Sequence, residues 1–146
     1  MERFLEYVAQ HPVLVGGTAA LALAVAAYEV SQLRDGGKNV SPAEAVGLLN
    51  HGALLLDVRS KDEFDAGHVI DARHLPQAEL SDGLEKFAKF RDKVVITFCE
   101  SGMRSGGAAR ALRAAGFTKV VNLRGGLRAW QGENLPLVRT EKKGKK

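Results

Sequence analysis

The chain has 146 residues, one cysteine and a formal net charge of +4. A single cysteine excludes an internal disulfide framework and the paired-cysteine spacing of structural zinc. Residues 141–146, EKKGKK, hold four lysines and one glutamate, so the rest of the chain carries only +1, too little for the basic surface of a nucleic-acid-binding protein. The four histidines show no ligand spacing, so we expect no metal and no other cofactor.

Residues 7–28 form an uncharged, largely apolar run. As an α-helix these 22 residues would be about 33 Å long, against roughly 30 Å for the hydrocarbon core of a bilayer. Apolar residues fall on every face, unlike those of a surface helix of a globular domain. We therefore predict a flank at residues 1–12 and a transmembrane helix at residues 13–30. The alternatives are a buried core helix and a cleaved secretory signal, which two glutamates in the flank oppose.

Basic residues on the two sides of this segment indicate its orientation. Arg3 precedes it, whereas Arg34 and Lys38 follow it closely. The positive-inside rule then places the body of the chain in the cytoplasm, and a lone thiol also suits a reducing compartment. We predict a single-pass protein of the inner (cytoplasmic) membrane whose partner is the lipid bilayer. The basic tail at residues 138–146 is either a solvated end or attracted to anionic lipid.

Strands and helices alternate after a predicted linker at residues 31–39. Ser41 and Glu44 form a capping box around Pro42, which predicts a helix start. Further helices are predicted over residues 61–67, 79–90 and 105–116 and from residue 125 onward. The predicted strands are residues 53–58, 68–75, 93–98 and 118–123. This order predicts an α/β fold with a mainly parallel sheet and helices on both faces.

Cys99 lies at the carboxyl end of the predicted strand 93–98, where parallel sheets place their binding sites. Inward-pointing loop amides and the start of the next helix would stabilise a thiolate there. Arg104 adds a positive charge and a planar donor group suited to an oxyanion. The alternative is a buried cysteine that ends a strand. The pattern favours a nucleophile.

Three motifs together resemble the rhodanese family. They are C-x-x-G-x-R-S at Cys99, Gly102, Arg104 and Ser105, DVRSKDEFDAGHV at residues 57–69 and LRGGLRAW at residues 123–130. The resemblance covers residues 40–137 and implies a rhodanese-like fold with a five-stranded, mainly parallel sheet. Together with the N-terminal segment, the chain resembles a subgroup of small, single-domain bacterial members with one membrane anchor.

The resemblance implies a sulfurtransferase. Cys99 would take the outer sulfur of thiosulfate, or of another sulfane donor, as a persulfide and pass it to a thiol or cyanide. The substrate-binding loop would comprise Glu100, Ser101, Gly102, Met103, Arg104 and Ser105. Structural roles are expected for the other motif residues, Asp57, Arg59, Glu63, His68, Gly125, Gly126 and Trp130. His74 stands where the family commonly has Asn. The negative charge of Glu100 would oppose a Cys99 thiolate unless the Glu100 side chain points to solvent.

Two other functions are compatible with such a loop. Phosphatases and arsenate reductases resemble C-x5-R, whereas four residues separate Cys99 from Arg104 here, and this tighter loop suits a single sulfur. Some rhodanese-like domains have lost the cysteine and act as interaction modules. Because this chain retains both Cys99 and Arg104, catalysis is favoured over a non-catalytic module that binds another membrane protein. The sequence does not indicate the thiol acceptor.

Overall fold

The computed structural model describes residues 7, 10–36 and 39–140, with the backbone alone at residues 31–36. The chain divides between residues 37 and 38 into two compact units. The first unit contains helix α1, Pro12–Gly36, whose apolar portion Pro12–Val30 is exposed and is long enough to cross a membrane. Helix α1 continues six residues beyond the predicted end, so residues 31–36 are helical and not a linker. Good helix formers there, such as Gln and Arg, favour this continuation.

The second unit is built on a five-stranded sheet in which every strand pair is parallel. Its strands are β1 (Asn39–Val40), β2 (Leu54–Asp57), β3 (Arg73–His74), β4 (Val94–Phe98) and β5 (Lys119–Leu123). Their order across the sheet is β1-β5-β4-β2-β3. The prediction of an α/β fold with a five-stranded parallel sheet is therefore confirmed.

Helices cover both faces of the sheet, as predicted. They are α2 (Pro42–Asn50), α3 (Lys61–Ala66), α4 (Leu80–Gly83), α5 (Met103–Ala114) and α6 (Gly126–Gly132). Neighbouring strand residues point to opposite faces. Leu54 and Leu56 thus pack in the cluster that contains Leu112 of α5, whereas Leu55 packs in the cluster that contains Trp130 of α6. Capping boxes start α2 at Ser41–Glu44 and α3 at Ser60–Glu63.

The segment predicted as a strand at residues 68–75 is mostly a turn. Only Arg73 and His74 pair with β2. Asp71 has a φ of 60° and the Ala72 amide donates to the Val69 carbonyl, so the chain reverses before it can extend. Apolar residues such as Val69 favour a strand in the sequence, because buried turn residues and buried strand residues are equally apolar.

The carboxyl-terminal boundary and one helix also differ from prediction. Val138, assigned to the basic tail, exchanges two backbone hydrogen bonds of 2.8 Å with His68, so the ordered domain extends past residue 137. Residues 141–146 lie outside the described part of the chain. The predicted helix 79–90 is broken into α4 and flanking 3-10 turns, Gln77–Glu79 and Leu84–Phe90, and Gly83, a poor helix former, lies at the break.

Candidate active site

Cys99 directly follows β4 and is wholly buried. The chain turns back on itself after it, so that the Gly102 amide donates to Sγ at 3.1 Å and the Ser105 hydroxyl lies 3.4 Å from Sγ. Gly102 has a φ of 91°, and a Cβ there would lie 3.2 Å from the Leu123 carbonyl oxygen. Glycine is therefore required at the turn that points the amide at sulfur. The C-x4-R loop predicted from the sequence is a tight turn around the Cys99 Sγ that leads into α5.

Two opposing effects act on the Cys99 thiol. Burial raises its pKa. The Ser105 hydroxyl lowers it, as do three loop amides, those of Ser105, Ser101 and Gly102. The hydrogen bonds outweigh burial, so the pKa of the thiol lies below that of an ordinary cysteine. This favours a nucleophilic thiolate at lower pH than an unperturbed cysteine allows.

Helix α6 supports the loop from the neighbouring strand. The Leu127 amide donates to the Cys99 carbonyl at 2.8 Å, and the Arg128 amide donates to the Glu100 carbonyl at 3.2 Å. Gly126, the residue before them, has a φ of 58° and lies so close that a Cβ would be 2.8 Å from the Glu100 carbonyl carbon. The predicted motif at Gly125 and Gly126 therefore lets the start of α6 touch the backbone of the cysteine loop.

Arg104 is held by Glu63 from the start of α3. Its two terminal nitrogens donate to the two carboxylate oxygens at 2.7 and 3.0 Å. This bond with Arg104, followed by the Ser60 cap, lowers the pKa of Glu63 to about 2 against the opposing effect of its partial burial. The same pair raises the pKa of Arg104, and the negative charge of Cys99 adds to that effect. Glu63 thus joins the cap of α3 to the cysteine loop, a contact not predicted from the sequence.

Asp57 and Arg59 form a buried ion pair at the end of β2. Arg59 Nη2 lies 2.6 Å from Asp57 Oδ2 and also donates to the Gly67 carbonyl at 2.8 Å. These contacts tie the strand end to the turn after α3, which is the geometry expected for two of the three motif residues. Glu63, the third, caps α3 through Ser60 and in addition accepts from Arg104.

Glu100 faces cations and not the thiol. Its carboxylate lies 3.6 Å from Nη1 of Arg59 and 3.5 Å from Nε of Arg128, and its side chain is about one-third exposed. The expected conflict between this carboxylate and a Cys99 thiolate is therefore reduced by two neighbouring positive charges. The sequence suggested solvent alone as the remedy because Arg59 and Arg128 are distant in the chain.

The remaining predicted residues lie around the loop as scaffold or rim. His68 Nδ1 and His74 Nε2 each lie 2.8 Å from a backbone carbonyl, those of Phe64 and Arg59, and both rings stack on the Phe64 ring. Trp130 is buried and donates to the Pro136 carbonyl at 3.2 Å. Ser101 and Met103 are exposed on the rim of the loop. No group of residues suited to a metal ion occurs in the described ranges.

Two residues next to the cysteine loop are not predicted from the sequence, Asn122 and Asn39. Asn122 is buried in β5, where it contacts Ser105 and Gly102, and its amide donates to Asn39 Oδ1. An amide within the otherwise apolar run KVVNL was the available signal, because a buried polar group requires polar partners.

The fold and this loop define an α/β protein with one activated cysteine in a turn that can hold a negative charge on sulfur. A protein-family model described as "Rhodanese-like domain" matches residues 41–133. "Uncharacterized protein YibN" of Escherichia coli K12 is 36% identical over 141 residues, covering 95% of this chain and 99% of YibN. Thiosulfate sulfurtransferase GlpE of Ectopseudomonas mendocina is 34% identical over 94 residues, covering 64% of this chain and 84% of GlpE.

A solved structure agrees with these relatives. The crystal structure of a rhodanese-related protein from Thermoplasma volcanium matches with a TM-score of 0.63 and 27% identity, covering 69% of this chain and 97% of that one. The chain therefore belongs to the rhodanese-like domain family, as its motifs predicted. Sulfurtransferases among its relatives support a general role in sulfur transfer.

Proposed function

We propose that the chain is a rhodanese-type sulfurtransferase that carries sulfane sulfur on Cys99. The observation that supports this most directly is the surroundings of Sγ, with the Gly102 amide at 3.1 Å and the Ser105 hydroxyl at 3.4 Å, in a loop that lowers the thiol pKa. Both groups stabilise a negative charge on sulfur without a metal ion. The names of relatives such as GlpE suggest thiosulfate as a donor.

The reaction consists of two displacements at sulfur. The Cys99 thiolate attacks the outer sulfur of thiosulfate, the sulfur–sulfur bond breaks, and its electron pair leaves with sulfite. A persulfide anion remains on Cys99, next to the loop amides. A thiolate or cyanide acceptor then attacks the outer sulfur, and the Cys99 thiolate is released. Arg104, on the rim of the same loop, orients the anionic part of the donor.

Intact-mass measurement tests this reaction. The full chain in detergent is incubated with thiosulfate, desalted and weighed beside Cys99→Ser. Because the chain has one cysteine, we expect the wild type alone to gain one sulfur atom and to lose it on addition of cyanide, with sulfite released. If neither thiosulfate nor a low-molecular-weight persulfide adds sulfur to the wild type, the enzymatic proposal is wrong and a non-catalytic interaction module is favoured.

We further propose that residues 13–30 anchor the chain in the inner membrane with the rhodanese-like domain in the cytoplasm. The exposed apolar portion of α1 supports the anchor, and the flanking charges Arg3, Arg34 and Lys38 support the orientation. The exposed apolar residues of α1 are contiguous, and a contiguous exposed apolar patch marks a contact with a membrane or another protein.

Two single-cysteine variants test the anchor and its orientation. Gln10→Cys and Lys86→Cys, each in the Cys99→Ser background, place a thiol at an exposed position on either side of the anchor. In spheroplasts we expect a membrane-impermeant thiol reagent to label Gln10→Cys and to label Lys86→Cys only after lysis. The reverse pattern would show the opposite orientation, and recovery of the chain in the soluble fraction would exclude the anchor.

A further inference from the structure

Three polar side chains lie in a row beneath the Cys99 thiol, in an otherwise apolar part of the domain. Ser105 on α5 is wholly buried, Asn122 on β5 is 9% exposed, and Asn39 on β1 follows it. The Ser105 Oγ lies 2.6 Å from Asn122 Oδ1 and 3.4 Å from Cys99 Sγ. Ser105 is thus the link between the nucleophile and the asparagine.

The orientation of the Asn122 amide follows from its neighbours. Nδ2 lies 3.1 Å from the Gly102 carbonyl oxygen, which can only accept a hydrogen bond, so the NH2 group must face it. The oxygen Oδ1 therefore faces Ser105. Because an amide oxygen also only accepts, Ser105 must be the donor in their short contact. The resting position of the Ser105 hydroxyl hydrogen is thereby defined.

That single hydrogen has three acceptors within reach. They are Asn122 Oδ1 at 2.6 Å, the Gly102 carbonyl at 3.2 Å and Cys99 Sγ at 3.4 Å. The shortest contact holds it at Asn122, so the protonated thiol meets a lone pair of Oγ and donates to it. A thiolate needs the opposite arrangement, in which the hydroxyl turns and donates to sulfur.

We propose that Asn122 is a positioning residue that competes with the Cys99 thiolate for the hydroxyl hydrogen of Ser105 and so sets how readily the thiol ionises. In the resting state the hydrogen bonds run from Cys99 through Ser105 to Asn122. When the thiol loses its proton to solvent or to an acceptor base, the Ser105 hydrogen turns to sulfur and Asn122 Oδ1 loses its donor. The loss of a buried hydrogen bond opposes ionisation.

This inference deepens the proposed function, and its sulfur-transfer consequence rests on that function, because only the thiolate attacks the donor. The test is independent of sulfur transfer. Ultraviolet absorbance of the thiolate is recorded against pH for the full chain in detergent, with Cys99→Ser as the blank. Since the chain has one cysteine, the difference reports Cys99 alone.

Asn122→Leu replaces the amide by an apolar side chain of similar size, so Ser105 can donate to the thiolate without abandoning its closest acceptor. Only the Gly102 carbonyl, at 3.2 Å, then still competes with sulfur for the hydroxyl hydrogen. We expect the measured pKa of Cys99 to fall, with roughly three- to tenfold more thiolate at any pH below it, the factor that one neutral hydrogen bond represents. A residue that merely supported the loop would give the opposite result, since its removal would loosen the donors around sulfur and raise the pKa.

A double-mutant cycle with Ser105→Ala makes the test specific. Ser105→Ala removes the shared hydrogen and should raise the Cys99 pKa, and adding Asn122→Leu to it should then change nothing. An unchanged or raised pKa in Asn122→Leu alone, or the same fall in the Ser105→Ala background, would overturn the inference. If the leucine variant does not fold, Asn122→Val, whose β-branched side chain suits a strand, takes its place in the cycle.

Discussion

Gly126→Ala should destabilise the rhodanese-like domain by about 3 kcal/mol and slow the sulfur loading of Cys99. A φ of 58° costs an alanine roughly 1–2 kcal/mol. Its Cβ would also lie inside van der Waals contact of the Cys99 carbonyl oxygen and the Glu100 backbone, and relieving such overpacking costs about 1–3 kcal/mol. Both effects arise at Gly126, so the addition of a single methyl group is expected to lower the free energy of unfolding by this amount.

The loss of function has a geometric cause. Moving α6 away from the loop would break the bonds from the Leu127 amide to the Cys99 carbonyl and from the Arg128 amide to the Glu100 carbonyl. The peptide that follows Cys99 would then no longer be fixed. The amides of Ser101 and Gly102, which lower the pKa of the thiol, would no longer point toward the Cys99 Sγ. Residual folded protein should therefore load sulfur slowly.

Gly106→Ala is the matched control. Gly106 lies in α5, a few residues beyond Cys99, and nothing lies within 4 Å of where its Cβ would be. Because alanine favours a helix over glycine by about 1 kcal/mol, this variant should be as stable as the wild type or slightly more stable. Denaturant unfolding of the full chain in detergent, followed by fluorescence of the buried Trp130, compares the two. Equal stability of both variants would contradict the close-approach argument.

The fold could be predicted, and Cys99 could be identified as the candidate nucleophile, because these signals are local. The capping box at Ser41–Glu44, the apolar strands and the Cys99 loop are each contained in a few consecutive residues. The contacts that define the charge of the site are not local: Glu63 and Arg104 are 41 positions apart, and Arg128 lies 28 positions after Glu100. Periodicity and spacing report which face a residue occupies, but they do not report which distant side chain it meets.

Two of the misjudged segments, residues 68–75 and the carboxyl-terminal boundary, have the same origin. Residues 68–75 are apolar enough for a strand, yet Asp71 in a left-handed conformation turns the chain. Val138 belongs to the domain because its backbone pairs with that of His68, a residue that is distant in the chain. A prediction made segment by segment treats each independently and therefore missed both. The contact between Ser105 and Asn122 was missed for the same reason, because it joins two separate elements, α5 and β5.

The charges around Cys99 are arranged in opposed pairs. Arg59 pairs with Asp57, Glu100 lies between Arg59 and Arg128, and Arg104 pairs with Glu63. Arg104, the proposed donor-binding residue, thus has its two terminal nitrogens engaged by a carboxylate in the resting site. A dianion such as thiosulfate has to compete with Glu63 for them, whereas a donor of lower charge depends less on Arg104. From this arrangement we expect Glu63 to influence donor preference.

Glu63→Gln should therefore make the site more attractive to anions by roughly fivefold. Removing one negative charge about 4 Å from a bound anion is worth about 1 kcal/mol in water, which corresponds to that factor. Glutamine also serves in a capping box, so the start of α3 should be retained. We expect kcat/KM for thiosulfate to rise, with a steeper dependence on ionic strength.

Alkylation of Cys99 measures the same effect without sulfur transfer. Iodoacetate is anionic and iodoacetamide is neutral, so the ratio of their rates reports the charge near the thiol and cancels changes in access or in thiolate fraction. Glu44→Gln is the matched control, because Glu44 forms an equivalent capping box with Ser41 on α2. The ratio should rise in Glu63→Gln and stay constant in Glu44→Gln.

The pH dependence gives a further check on the ion pair. Because the pKa of folded Glu63 is lowered from 4.5 to about 2, the pair stabilises the fold fully above pH 4.5 and loses this contribution as the pH falls toward 2. Any stability difference between Glu63→Gln and the wild type should shrink over that interval.

An alkylation ratio that moves equally in Glu63→Gln and Glu44→Gln would show that the capping box, and not the charge beside Arg104, controls access of anions to Cys99.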